Sequence, residues 1–236
     1  MIISFIQTKG GTGKTTLAKC LAYSKRFQKE FGSIALVELD PQGTVYAWHE
    51  QREKVGLANS NVEFVNLAEA DPGIMEKTLT KLFNDKDAMI LDVPGESVGK
   101  FATRFATALS DLVLIPMRSS TNDEQSFIDN ILPVVVQTVQ AHPDKKGSFY
   151  IVPTFVHPQS NPERIRDYFL DMVPDEVGCL KACLPHRSVF ENFSRDGMNL
   201  YEYAKMVKSN ARYYEQAKKA IGDIEGISQE ILQMRK

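Results

Sequence analysis

The sequence of 236 residues has little cysteine, a single tryptophan and no surplus of either charge. Three cysteines, Cys20, Cys179 and Cys183, are too few and too scattered for a disulfide scaffold, so a reducing cytoplasmic setting is expected. No apolar run approaches the ~18 residues that a membrane-spanning helix needs. The opening stretch has no basic segment ahead of its apolar residues and no cleavage-like site, so it reads as a strand and not as a signal peptide. Lys plus Arg number 28 and Asp plus Glu number 30, which excludes a histone-like, wholly basic chain. Any contact with nucleic acid is left to a local patch. With 43% hydrophobic residues, 14 Gly and 11 Pro, the chain is neither mainly disordered nor fibrous.

What is present is an alternation of apolar runs and helical patterns. Strands are expected at Ile2–Gln7, Ser33–Leu39, Val62–Leu67, Ala88–Val93, Asp111–Pro116 and Ser148–Phe155, with a weak one near Val177–Leu184. Helical patterns cover Lys14 to about Lys29, Gly73–Phe83, Gly99–Leu109, Glu124–Gln140, Pro162–Met172 and Ser188 onward. Apolar strands alternating with helices predict an α/β fold, with a mostly parallel twisted sheet covered by helices on both faces. No repeat, low-complexity tract or linker interrupts it. One domain over 1–236 is the simplest expectation, its C-terminal helices (about 188–236) packed on it.

The stretch from Thr8 to Thr16 (TKGGTGKTT) follows an apolar strand and opens a helix, the context a phosphate loop requires. Gly10, Gly11 and Gly13 let backbone amides, Thr12's among them, turn toward an anion. The helix start adds amides and its positive dipole end. Lys14 is placed to reach the β and γ phosphates, the Thr15 hydroxyl to ligate Mg²⁺, and Thr16 to meet the α phosphate. Asp92 ends an apolar run and reads as the carboxylate that holds Mg²⁺ through water. The alternative for Asp92 is a cap on the next turn. Asp40, before Pro41, is open to two readings, a carboxylate on the phosphate side of the sheet or a turn residue.

The loop departs from G-x-x-x-x-G-K-[ST], because Thr8 stands where that pattern has glycine, and an extra lysine, Lys9, follows it. Here the sequence resembles the ParA/MinD superfamily of deviant Walker A ATPases, whose loop reads KGGxGKTT. The resemblance implies a P-loop NTPase-like fold, ATP and Mg²⁺ as cofactors, and a homodimer closed face to face around two nucleotides. It makes Lys9 the signature lysine that reaches across to the partner's nucleotide. Glu38-Leu39-Asp40-Pro41-Gln42 resembles the family's D-x-D-P-Q element, with Glu38 in place of the first Asp. Asp40 would then orient the attacking water or help hold the metal, with Gln42 beside it. Asp123 falls at the family's spacing after Pro116, near the dimer face, although a helix N-cap explains it equally. Leu184–Gly197 resembles the late segment that approaches adenine, which makes Pro185, His186 and Arg187, together with Thr154, candidates for the base.

Placed on one helix, Leu200 to Ile221 puts Lys205, Lys208, Arg212 and Lys219 within an arc of about 60°. Tyr203, Met206, Val207, Tyr214, Ala217 and Ile221 fall opposite. A solvated basic face is the plain reading. The resemblance adds non-specific DNA binding by the ATP-bound dimer, nucleoid association, and a centromere-binding ParB-like adaptor that stimulates hydrolysis. No membrane partner is expected, because the tail mixes Asp223, Glu225 and Glu230 with Arg235 and Lys236. Its Ile224, Ile227, Ile231 and Leu232 are expected to pack on the domain. With the loop beginning at Lys9, the chain resembles the small partition ATPases, which leave sequence-specific DNA recognition to the adaptor. An iron–sulfur reading fails, since no cysteine follows Asp92 closely. ATPases that position non-DNA cargo, and small-molecule ligases or kinases on the same fold, remain as alternatives.

Overall fold

The computed structural model describes residues 1–57, 61–95 and 100–234. Gly99, Arg235 and Lys236, which entered the expectations above, lie outside the described residues. Eight strands form the sheet: β1 (Ile2–Phe5), β2 (Ile34–Glu38), β3 (Val62–Asn66), β4 (Ala88–Asp92), β5 (Leu112–Met117), β6 (Phe149–Val156), β7 (Val177–Cys179) and β8 (Leu184–Pro185). Their order is β3-β2-β4-β1-β5-β6-β7, with β8 pairing β6, and each pairing is parallel.

Alternate strand residues serve opposite faces, as a period of two demands. Ile3, Phe5, Ile34, Leu36, Ile90 and Leu114 face one core. That core is covered by α1 (Lys14–Ala22), α2 (Lys25–Glu30), α3 (Thr44–Lys54), α9 (Ser188–Asn192), α10 (Leu200–Met206) and α11 (Ala211–Gln233). Ile2, Ala35, Val37, Met89, Leu91, Val113 and Ile115 face the other. Its cover is α4 (Pro72–Asp85), α5 (Lys100–Leu109), the turn Phe127–Ile131 that follows α6 (Thr121–Ser126), α7 (Leu132–Ala141) and α8 (Pro162–Met172). The C-terminal helix thus docks on the α1 side, through Ile224, Ile227 and Ile231, as expected from the tail.

Three expected helices divide. Lys14–Lys29 breaks at Ser24, whose hydroxyl accepts from the Phe27 amide and starts α2 afresh. Glu124–Gln140 runs from α6 through a π-helical turn, Phe127–Ile131, into α7. The third division bears on function. The expected helix Leu200–Ile221 is two helices, because Val207–Ser209 tightens to a 3₁₀ turn and the Asn210 side chain caps α11. The weak strand near Val177–Leu184 is likewise two short strands.

In a parallel sheet all strands end at one edge, and residues there share a crevice. The register places Glu38, Asp92 and Phe5 side by side on one rung. The loops after β1, β2, β4, β5 and β6 leave from this edge, and they carry the residues described next.

Candidate nucleotide site

The loop after β1 turns sharply at Gly11 (φ 70°) and Gly13 (φ 99°), both left-handed. Gly13 precedes α1 without a side-chain cap, so the first amides of that helix are left for an external acceptor. The Lys14 ammonium is buried against Gly95, where a Cβ would lie 3.0 Å away from it. Burial lowers the Lys14 pKa, against the pull of Asp92 and Asp40.

Asp92 is fully buried, and neither of its carboxylate oxygens accepts a hydrogen bond of normal geometry. Burial pushes its carboxyl up to about 7, with the Thr15 hydroxyl and Lys14 acting in the opposite direction. A buried carboxylate without a well-formed partner is costly. Its position beside Thr15 suits a hydrated divalent cation. Asp40 makes a turn contact and also faces a cavity. Its Oδ1 accepts from the Gln42 amide at 3.0 Å, a turn contact, while its residue lines the same cavity as Gly10, Gly11, Lys14, Thr15 and Gln42. That cavity has a volume of about 570 Å³. Glu38 does something different. Its carboxylate accepts from the Val45 amide at 3.2 Å and the Tyr46 amide at 2.6 Å, which caps α3 from the end of β2. Burial raises its pKa even so.

Lys9 pairs with Asp123 of its own chain. Asp123 is fully buried and also accepts from the Arg118 amide at 3.2 Å. It is not the helix N-cap: Ser120 caps α6, and Asp123 sits in the first turn with its side chain turned to the loop. Arg118 is a site residue that the motifs did not single out. Its guanidinium donates to the Gly11 carbonyl and lies 3.9 Å from the Phe155 ring centroid. Phe155 is the one non-glycine among the described residues with positive φ (55°), a conformation that costs energy and that packing must hold. Both stand at strand ends on the phosphate edge, which is the only signal of them in the sequence.

A smaller cavity, about 190 Å³, lies on the other side of the loop, lined by Gly13, Thr16, Phe155, Pro185, His186 and Arg187. Pro185 and Arg187, candidates for the base, thus share one cavity with Thr16, the residue expected at the α phosphate. Arg187 is also engaged by Asp223 of α11, with Nε 2.5 Å from Oδ2. Thr154 stands behind the loop: it is buried, and its methyl group would lie 3.7 Å from a Cβ at Gly13. Thr12 is buried as well, its hydroxyl without a partner.

The four basic residues assigned to one helical face do not share a helix. Lys205 lies in α10, Lys208 in the 3₁₀ turn, and Arg212 and Lys219 in α11. They therefore do not form a single arc of about 60°, since the 3₁₀ turn and the Asn210 cap separate α10 from α11. All four side chains are nevertheless exposed. Met206, expected on the docking face, is 52% exposed. No helix among the described residues is long and apolar enough to cross a membrane.

No protein-family model matches the sequence, and none of the curated proteins does. Solved structures do match. A protein of Borrelia burgdorferi described as a plasmid partition protein, bound to AMPPNP, is 17% identical over 98% of each chain, with a TM-score of 0.63. A single-residue variant of Cyanothece McdA in complex with ATP is 19% identical over 94% of this chain and 96% of that one, with a TM-score of 0.58. The MinD cell division protein of Aquifex aeolicus is 14% identical, covers 100% and 98%, and has a TM-score of 0.64. At such identities it is the fold that is shared, and the fold of this chain is that of the ParA and MinD group of P-loop proteins.

Proposed function

We propose that the chain is a Mg²⁺-dependent ATPase that dimerises on ATP, binds DNA without sequence preference, and segregates a plasmid or chromosomal locus. The observation that carries this reading is the second lysine at the mouth of the phosphate cradle. Lys9 is 35% exposed and tied to a buried carboxylate, beside the Lys14, Thr15 and Asp92 group. The α1 amides and Lys14 bind the triphosphate. Thr15 and Asp92, with Asp40 nearby, would hold Mg²⁺, which when bound neutralises charge on the phosphate oxygens. Asp40 orients the attacking water, and Gln42 lies close to it. Thr16 meets the α phosphate and Pro185 and Arg187 the base, with Thr154 supporting the loop.

In the closed homodimer Lys9 leaves Asp123 and neutralises charge on the partner's nucleotide. That step strands Asp123, at a cost of about 1–3 kcal/mol. Turnover is accordingly slow until a ParB-like adaptor favours closure. Lys205, Lys208, Arg212 and Lys219 offer phosphate contacts, and pairing of two subunits doubles them. Affinity for a non-specific duplex in Mg²⁺-ATP, in Mg²⁺-ADP and without nucleotide tests the reading. Salt-sensitive binding in ATP alone, lost in the Lys205→Ala/Lys208→Ala/Arg212→Ala variant, is expected. Indifference to DNA in all three states contradicts it.

One observation favours a second reading. A cavity of about 470 Å³ adjoins the loop, lined in part by Lys9, Thr103, Arg104, Asp129 and Asn130. It is roomy and polar enough for a small acceptor, as in a ligase or kinase on this fold. Turnover that requires such an acceptor, in a monomer, would establish that alternative.

A further inference from the structure

We infer that the polyanion surface extends from the C-terminal helices onto α2, where Lys25, Arg26 and Lys29 contact the backbone of duplex DNA. The inference rests on the DNA reading above and adds residues that lie about 180 positions away in sequence from the C-terminal lysines.

Helix α2 turns Phe27 fully inward and leaves Lys25, Arg26 and Lys29 exposed. Spacings of three and four residues put Lys29 on one face with the other two. The join to the C-terminal helices is specific. The Lys25 ammonium lies 5.0 Å from the centroid of the Tyr201 ring. The Tyr201 hydroxyl bonds Glu225 of α11, whose carboxylate also accepts from the Lys25 amide at 2.8 Å and the Arg26 amide at 3.2 Å. Tyr201 begins a stripe. Lys205 follows it at four residues, one turn and about 6 Å further along α10, and Lys208 lies in the 3₁₀ turn beyond. Lys25, Arg26 and Lys29 thus adjoin, through Tyr201, the part of α10 that carries Lys205.

The acidic group at the junction is already engaged. Glu225 is occupied by the two amides, by the Ser24 and Tyr201 hydroxyls, and by Arg26 Nε at 3.4 Å. Its charge serves to cap α2, and Lys25 and Lys29 remain exposed on a helix whose own acidic residue is Glu30 at its C-terminal end. A duplex carries one charge per ~1.7 Å of its axis, and a track of separated cations on fixed helices suits it. A lipid surface would need an apolar face to insert, and α2 shows none outward.

The test is binding of a non-specific duplex in Mg²⁺-ATP over a salt series, with wild type and a Lys25→Ala/Arg26→Ala/Lys29→Ala variant. Thermal melting and ATP affinity serve as controls for folding. The variant should bind about tenfold more weakly, and its slope of log affinity against log salt should be shallower by about two to three. The single reversal Lys29→Glu, remote from the Glu225 contacts, should weaken binding without altering melting. If wild type binds and the variant matches it in affinity and slope, α2 lies outside the interface and the inference falls alone. If wild type itself ignores DNA in every nucleotide state, the DNA reading falls and takes this one with it. If the variant keeps its DNA affinity but loses binding to vesicles rich in anionic lipid, the surface serves lipid instead.

Discussion

At the phosphate edge of the sheet charges are buried, and on the C-terminal helices they are exposed. Lys14, Asp92, Glu38 and Asp123 are all less than a tenth exposed, and each has a specific neighbour or an unmet need for one. Lys205, Lys208, Arg212 and Lys219 stand in solvent. Where a charge is buried, one side chain changes the outcome, and evolution can fix it only at a set spacing, which leaves a motif. Where charge is exposed, contributions are small and additive, and no motif results. The same molecule therefore holds a site readable by pattern and a surface readable only once folded.

The largest effect that would sharpen this contrast is at Lys14. Lys14→Ala should weaken nucleotide binding by about 100-fold or more in calorimetry, since a desolvated cation facing phosphate has no substitute. A loss below about fivefold would mean that the cradle works through its amides alone. Lys9→Ala should leave nucleotide affinity within about threefold while reducing turnover by about 100-fold or more. It should also destabilise the free protein by about 1–3 kcal/mol through the stranded Asp123, and adding Asp123→Asn should restore stability but not turnover.

A pH prediction follows from Asp92. In the folded, nucleotide-free protein its carboxyl keeps its proton to about pH 7, whereas unfolded it releases it near the ordinary 3.8. Between those values the native state binds more protons, so this group's contribution is full below about pH 4 and is lost as pH rises through 7. Asp92→Asn should therefore gain up to about 4 kcal/mol over wild type at pH 8 in metal-free buffer, the gain vanishing toward pH 4. Urea melts at several pH values would show it. A gain independent of pH would place the charge elsewhere. Smallest are the exposed residues. Alanine at Lys205, Lys208, Arg212 or Lys219 should each cost a few-fold in DNA affinity and flatten the salt slope by about one. A single dominant residue among them would break the comparison.

The central strands are legible because they are largely apolar runs, and all pairings are parallel, whereas β7 and β8 are too short to separate by pattern. The phosphate loop is legible because glycine, lysine and threonine must recur there at fixed spacing. Helix interruptions are not. Ser24 and Asn210 start new helices with a single side-chain bond, and no glycine or proline marks the break. Arg118 is hidden for another reason. Its partner, the Gly11 carbonyl, is 107 residues away, and a side-chain-to-backbone contact leaves no trace in the partner's identity. Glu38 stands in place of an Asp in the resembling element, and only the fold shows that its carboxylate caps α3 through two amides.

The central claim is that Lys9 acts across a dimer. It is tested most directly by mixing two inactive variants, Lys9→Ala and Asp40→Ala. In a mixed dimer, the nucleotide on the Lys9→Ala subunit keeps its own Asp40 and receives Lys9 from the other. Equal mixing should restore about a quarter of wild-type turnover, since half the dimers would each carry one complete site. No recovery at any ratio, with both variants still binding ATP, would contradict a lysine supplied in trans.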